Sequence, residues 1–228
     1  MIKGILFDMD GVLVDSEEYI CEAAIGYFRQ RGLIVLPEDF TPFVGAGEDR
    51  YIGGVAEKYN FSILDLSEAK LQTYAIYAEI VKNRLSPMKG VVDFIRESKK
   101  RGLRLAVATS ADKTKMEINL HEMGLDHGEF DVLVNGLDVE RKKPFPDIYE
   151  LAAGKLNLKP KDCIVIEDAV NGVQAAKAAG AFCIGITSSF SVEVLQDAGA
   201  DLVVDDLSEL LEFGFLTDSQ TSERSGTN

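Results

Sequence analysis

The sequence predicts an α/β fold: a doubly wound parallel sheet with helices on both faces and an α-helical segment inserted after the first strand. Three observations carry this. From about residue 87 onward, short apolar runs alternate with amphipathic helical stretches, the pattern of a parallel sheet covered on both sides. The apolar runs have strand length and lack a regular polar face, as strands buried on both sides do. One further strand, "KGILFD", stands apart at the N-terminus, and between residues 16 and 86 only helical patterns follow it.

In order, Lys3–Asp8 reads as a short buried strand. "DSEEYICEAAIGYFRQRG" is a helix with an acidic first turn, basic residues near its end and Gly32 as its stop. "GEDRYIGGVAEKY" and "SEAKLQTYAIYAEIVKNRL" are two more, so residues 16–86 predict a separate helical cap. Helix "VVDFIRESKKRG" then precedes strand "LRLAVATS", and helix "DKTKMEINLHEMG" precedes strand "DVLVNG". The remainder reads as helix "FPDIYELAAGKLNL", strand "DCIVIED", helix "AVNGVQAAKAAG", strand "AFCIGIT", a helix near "SVEVLQDAG" and strand "ADLVVDD". The predicted core is therefore 1–15 with 87–213. The polar end, "LTDSQTSERSGTN", predicts a disordered tail over 214–228.

Composition narrows the function classes. The chain has 228 residues, 46% of them hydrophobic, enough for a core. No apolar run approaches the roughly 20 residues of a membrane-spanning helix, and acid arrives too early in "MIKGILFDMDG" for a signal peptide. A soluble cytoplasmic protein, away from membranes, is expected. The net charge of −14 argues against nucleic acid as a partner, and it means an anionic substrate must be held by a local positive centre. Cys21, Cys163 and Cys183 are odd in number and scattered, which predicts reduced thiols. His121 and His127 sit in a polar stretch and are expected to face solvent. With no long apolar seam in view, a monomer or weak dimer is expected.

Ligands of open parallel sheets bind beyond the carboxyl ends of the strands. Polar residues follow apolar runs there at Asp8 and Asp10, at Thr109 and Ser110, and at Glu167 and Asp168. Two carboxylates at i and i+2 repel each other unless a cation or a proton intervenes. An oxygen-rich site without His or Cys suits a hard ion, Mg2+, rather than zinc.

With these residues in place, the chain resembles the haloacid dehalogenase superfamily. "DMDGVLVDS" looks like its first motif, "LAVATS" its second, "KKP" its third and "VIEDAVNGVQAAKAAG" its fourth, in order and with a helical insertion after the first. The resemblance implies a Rossmann-like core. Within the superfamily the chain is most similar to the branch of β-phosphoglucomutase and small sugar-phosphate phosphatases. The likeness implies that Asp8 is the nucleophile, forming an aspartyl-phosphate. Asp10 would be the general acid and base, lending only its backbone carbonyl to the ion. Gly11 would shape the turn that brings backbone amides towards the phosphoryl group. Thr109 and Ser110 would donate to phosphoryl oxygens, and Lys143 would neutralise charge on the nucleophile and the transferring group. Asp168 would bind the metal directly, and Glu167 through a water or by orienting Lys143. Asn171, beside the fourth motif, and the cap loop "FVGAGEDRY", with Gly45, Glu48 and Arg50, are candidate substrate contacts. Asp15 is expected to be a cap-hinge or helix-start residue.

Two departures from the mutases favour hydrolysis. Ile20 stands where they carry a histidine, and Glu48 aligns with an arginine of theirs. The reading is a Mg2+-dependent phosphatase acting on a small phosphorylated metabolite, a sugar phosphate in first place. A phosphoglucomutase-like enzyme is the alternative. A non-catalytic phosphate-binding or interaction protein is a third reading, against which Asp8, Asp10, Thr109, Lys143 and Asp168 all stand.

Overall fold

The computed structural model describes residues 2–43, 47–125 and 127–212. Gly45 and the segment 214–228 lie outside them, as do the side chains of Glu48 and His127. Six parallel strands form one sheet: β1 (Gly4–Phe7), β2 (Arg104–Ala108), β3 (Val132–Val134), β4 (Cys163–Glu167), β5 (Phe182–Ile186) and β6 (Leu202–Val204). Their order is β3-β2-β1-β4-β5-β6. Successive strands thus run outward from β1 in one direction and from β4 in the other. The strand order reverses between β1 and β4, and a ligand crevice belongs at the carboxyl ends there.

Side chains alternate across the sheet, as strand geometry requires. Ile5, Phe7, Leu105, Val107, Ile164 and Ile166 enter one core with α4 (Val91–Lys100), α5 (Lys113–Glu122) and α9 (Leu207–Glu212). Leu6, Ala106, Ala108, Cys163, Val165 and Cys183 enter the other with α6 (Asp147–Lys155), α7 (Val170–Ala179) and α8 (Val192–Asp197). Cys163 and Cys183 are buried thiols, whereas Cys21 is half-buried. His121 is exposed. The sequence patterns anticipate every one of these strands and five of these six helices. They omit α9, whose six residues "LSELLE" are held by the buried Leu207 and Leu210 packing back on α4.

The segment after β1 contains α1 (Glu17–Arg29), α2 (Glu48–Lys58) and α3 (Leu66–Val81). Their aromatic side chains pack together within the same buried cluster that covers one face of the sheet. Phe28 meets Phe61 edge-on at 5.8 Å between ring centroids, and Phe40 meets Tyr51 at 4.9 Å. Ion pairs and hydrogen bonds tie this unit to the sheet. Lys70 of α3 lies buried between Asp49 of α2 (2.6 Å) and Asp112, which precedes α5 (2.8 Å). The Tyr77 hydroxyl donates to Asn119 Oδ1 of α5 at 2.5 Å.

Asp39 pins the loop between α1 and α2. Its buried carboxylate accepts from Lys58 Nζ, the Leu36 amide (2.7 Å) and the Tyr59 hydroxyl (2.7 Å). These donors, Lys58 first, hold its pKa down to about 2 against an ordinary 3.8. The folded-state pKa is the lower one, so the stabilisation is complete above about pH 4 and is lost as pH falls towards 2. Asp39→Asn is expected to cost about 1–3 kcal/mol near neutrality and to lose less on acidification than the wild type. Urea unfolding at about pH 7 and about pH 3 checks both.

Candidate active site

Parallel register brings the separate motifs together. Phe7 pairs with Val107 on one side and Ile166 on the other, so the residues that follow on all three strands lie side by side. The Asp8 amide donates to Ile166 O (2.9 Å) and the Thr109 amide to Val134 O (3.1 Å), extending the ladders to the rim. Asp8, Thr109 and Glu167 are buried at these ends.

Lys143 comes from the loop between β3 and α6. Its ammonium donates to Asp8 Oδ1 (2.5 Å), Glu167 Oε1 (2.6 Å) and Ala108 O (3.3 Å), and its side chain is 5% exposed. The neighbouring cations are spent elsewhere. Lys142 donates to Gly136 O and Val139 O within its own loop, and Arg141 pairs with Asp147 at 3.0 Å. Burial on its own would lower the Lys143 pKa. The Asp8 and Glu167 charges outweigh burial and hold the ammonium above its usual range.

Glu167 has both oxygens engaged. Oε1 accepts from Lys143 and from the Tyr149 hydroxyl (2.6 Å); Oε2 accepts from the amides of Asp168 (3.0 Å) and Ala169 (3.1 Å). The start of α7 closes over it at Gly172, where a β-carbon would overlap the carboxylate. Asp168 accepts from Ser189 Oγ and, at 3.4 Å, from Ser188 Oγ. Gly11 takes a positive φ of 77°, and a β-carbon there would overlap the Asp168 carboxylate. Its amide donates to Val14 O at 2.8 Å, closing the turn. Gly11 therefore makes room for Asp168, and its own amide is committed within the turn rather than offered to a substrate.

The oxygens of Asp8, Glu167 and Asp168 lie within 4.8 Å of one another. Three carboxylates against the one Lys143 ammonium leave an excess of negative charge in a buried place. Burial foremost, opposed by Lys143 and reinforced by Glu167, pushes the Asp8 pKa up to about 7. Asp168 is likewise raised, by burial and then by Glu167 and Asp8. A hard divalent cation fits this donor set, since it would relieve the repulsion and the desolvation together. With the Glu167 oxygens occupied, Asp8 and Asp168 are the side chains that suit direct ligation. The Asp10 carboxylate belongs to a different cluster. It accepts from Ser16 Oγ, Lys115 Nζ (2.8 Å) and Asn119 Nδ2 (3.3 Å).

Asp8, Asp10, Lys115, Lys143, Glu167 and Asp168 open into one cleft of about 210 Å³. Ser110 and Asn171 line it, and so does Asp15 just ahead of α1. Ile20, Phe43, Tyr51 and Phe190 give the outer part an apolar wall. There the Tyr51 hydroxyl donates to Glu17 Oε1 at 2.9 Å. Thr109 Oγ1 accepts from the Ala111 amide at 3.0 Å, which leaves its own O–H to donate towards the cleft.

Of the cap-loop candidates, Arg50 is the one whose side chain is described. It is not among the cleft residues; it pairs with Glu57 at 3.5 Å and packs over the Phe43 ring on the exposed side of α2. The reason is helical phase. Tyr51 is the residue turned inward and buried, and one residue earlier points about 100° away. The sequence patterns also pass over Lys115, Asn119, Tyr149, Ser188 and Ser189. The first two carry a faint signal, polar residues spaced i and i+4 among Met116 and Leu120.

Comparison with known proteins places the chain in a family. The family model for haloacid dehalogenase-like hydrolases matches residues 2–180. The chain belongs to that family. It is 31% identical to a protein of Thermotoga maritima named phosphorylated carbohydrates phosphatase, over 89% of this chain and 94% of that one. It is 38% identical over 99% of its length to Protein SUPPRESSOR OF QUENCHING 1, chloroplastic, of Arabidopsis thaliana, but spans 22% of that protein. Among solved structures, CbbY from Rhodobacter sphaeroides in complex with phosphate superposes with a TM-score of 0.83 at 29% identity, covering 92% of this chain and 96% of that one.

Two outcomes follow from the geometry. Mg2+ is expected to raise Tm, by about 2–4 °C for each kcal/mol of binding. Asp168→Asn should abolish the shift while leaving the metal-free Tm no lower, because it relieves repulsion; differential scanning fluorimetry with and without chelator reads both. Gly172→Ala should cost about 1–3 kcal/mol in urea unfolding, since Glu167 is too firmly bonded to move aside.

Proposed function

We propose that the protein is a Mg2+-dependent phosphoric monoester hydrolase acting on a small phosphorylated metabolite, a sugar phosphate, through an aspartyl-phosphate. The observation that carries this reading is the Lys143 ammonium held between Asp8 and Glu167 at the floor of a cleft into which Asp10 also opens. Asp8 attacks phosphorus. A bond forms from its carboxylate oxygen while the bond to the leaving oxygen breaks, and Asp10 gives that oxygen a proton. Asp10 then takes a proton from water, which attacks phosphorus and releases Asp8 and inorganic phosphate. Lys143 neutralises charge on Asp8 and on the transferring group, and Thr109 and Ser110 donate to its oxygens. Asp8 and Asp168 would hold Mg2+, which supplies further charge neutralisation when bound.

Helices α1–α3, residues 16–86, are read as a cap over a core formed by 1–15 and 87–213. It excludes bulk water and presents the apolar outer wall to the leaving group. Hydrolysis is preferred to mutase chemistry because Ile20 lines the cleft with an apolar side chain and offers no titratable group beside Asp10.

Wild-type protein is expected to turn over p-nitrophenyl phosphate with Mg2+ and to stop on chelation. Asp8→Asn should lose activity by at least about 10³-fold; equal rates for the two proteins would remove the proposed nucleophile. With β-glucose 1-phosphate and a trace of its bisphosphate, free phosphate is the expected product. Glucose 6-phosphate without phosphate release would instead establish the mutase.

A further inference from the structure

Helix α5 delivers a lysine, at the edge of the cleft, and an asparagine, behind it, to Asp10. Lys115 and Asn119 are four residues apart, so they lie one above the other on one helical face. Both are buried: Lys115 is 3% exposed and Asn119 fully enclosed. Lys115 Nζ donates to Asp10 Oδ2 at 2.8 Å, and Asn119 Nδ2 to Oδ1 at 3.3 Å. Ser16 Oγ, at the start of α1, adds a donor to Oδ1. Asn119 is itself held by the Tyr77 hydroxyl, so the asparagine amide is oriented before it reaches Asp10.

A buried ammonium costs several kcal/mol of solvation, and the fold gives no packing reason for one among Met116 and Leu120. Such an ammonium calls for carboxylate partners. Among the described side chains these include Asp10, in direct contact, and Glu17 of α1, whose pKa burial raises and whose charge Lys115 favours. Of these, Asp10 is the one gripped through both oxygens. Donors on both oxygens fix the carboxylate's plane as well as its position. A proton carrier needs that, because it must face the leaving oxygen in one step and water in the next.

We propose that Lys115 and Asn119 are positioning residues that hold the Asp10 carboxylate in its working orientation. This rests on the reading of Asp10 as the proton carrier and adds that its geometry is set from α5. Asn119 is not among the cleft-lining residues and acts through Asp10; Lys115 also borders the cleft, and the role proposed for it is carried by its contact with Asp10.

The test is a double-mutant cycle on p-nitrophenyl phosphate with Mg2+. Lys115→Met is expected to lower kcat by about 10–100-fold with KM changed less than about threefold, and Lys115→Arg to recover part of the loss. In an Asp10→Asn background the same Lys115→Met change should alter kcat by less than about twofold, because nothing remains to position. An equal loss in both backgrounds, or an unchanged kcat in the wild-type background, overturns the proposal. Asn119→Ala runs the same cycle if Lys115→Met does not fold, as judged by circular dichroism and Tm. Failure of the underlying reading is distinct: Asp10→Asn alone would then match the wild type.

Discussion

The Lys143 ammonium is the interaction on which the rest of the site depends. Held by Asp8, Glu167 and the Ala108 carbonyl, it joins the ends of β1, β2 and β4 through a loop that belongs to none of them. Without it, three buried carboxylates would face one another alone. With it they remain an over-acidic cluster, a poor arrangement for stability and a good one for a metal ion and a phosphoryl group. Much of the surrounding sequence serves this compromise. Tyr149 and two backbone amides secure Glu167, while glycines at 11 and 172 give up their side chains so that carboxylates can sit where they do.

The two aspartates of the first motif diverge sharply in environment. Asp8 faces Lys143 and the other core carboxylates; Asp10, two residues on, is turned towards α5 and the start of α1. Directly after Asp10, Gly11 and Val14 close a turn that leads into α1. Asp10, the proposed proton carrier, is thus bonded to Ser16 beside α1 and to Lys115 and Asn119 of α5, whereas Asp8, the proposed nucleophile, is bonded to Lys143 and the end of β4. That division suits a reaction in which phosphorus stays over the sheet while the leaving group is enclosed by α1–α3.

Legibility followed local pattern. Asp8, Thr109, Glu167 and Asp168 could be picked out because each breaks an apolar strand, and a carboxylate there needs a reason. Lys143 could be singled out from its basic neighbours only by the proline behind it, yet it alone of the three turns inward. Nearness to a loop in sequence says nothing of helical phase, and on α2 it is Tyr51 rather than Arg50 that holds the buried position. Lys115 and Asn119 were passed over because a polar residue on a short, weakly amphipathic helix looks solvated until a partner is known. Tyr149 reads as core packing, and Ser188 with Ser189 as a loop, until Glu167 and Asp168 come to meet them. Helix α9 was missed because six residues form no pattern until α4 covers them.

By itself the sequence determined the alternation of strands and helices, the helical insertion after β1, and the acidic residues at strand ends, because each is written in periodicity and in local breaks of hydrophobicity. Only the tertiary structure decided that β1 lies between β2 and β4. Short apolar strands are interchangeable until register and handed connections choose among them. That choice put Asp8 beside Glu167, brought Lys143 between them, and set Lys115 against Asp10, contacts between residues more than 20 and up to 159 positions apart that no local pattern encodes.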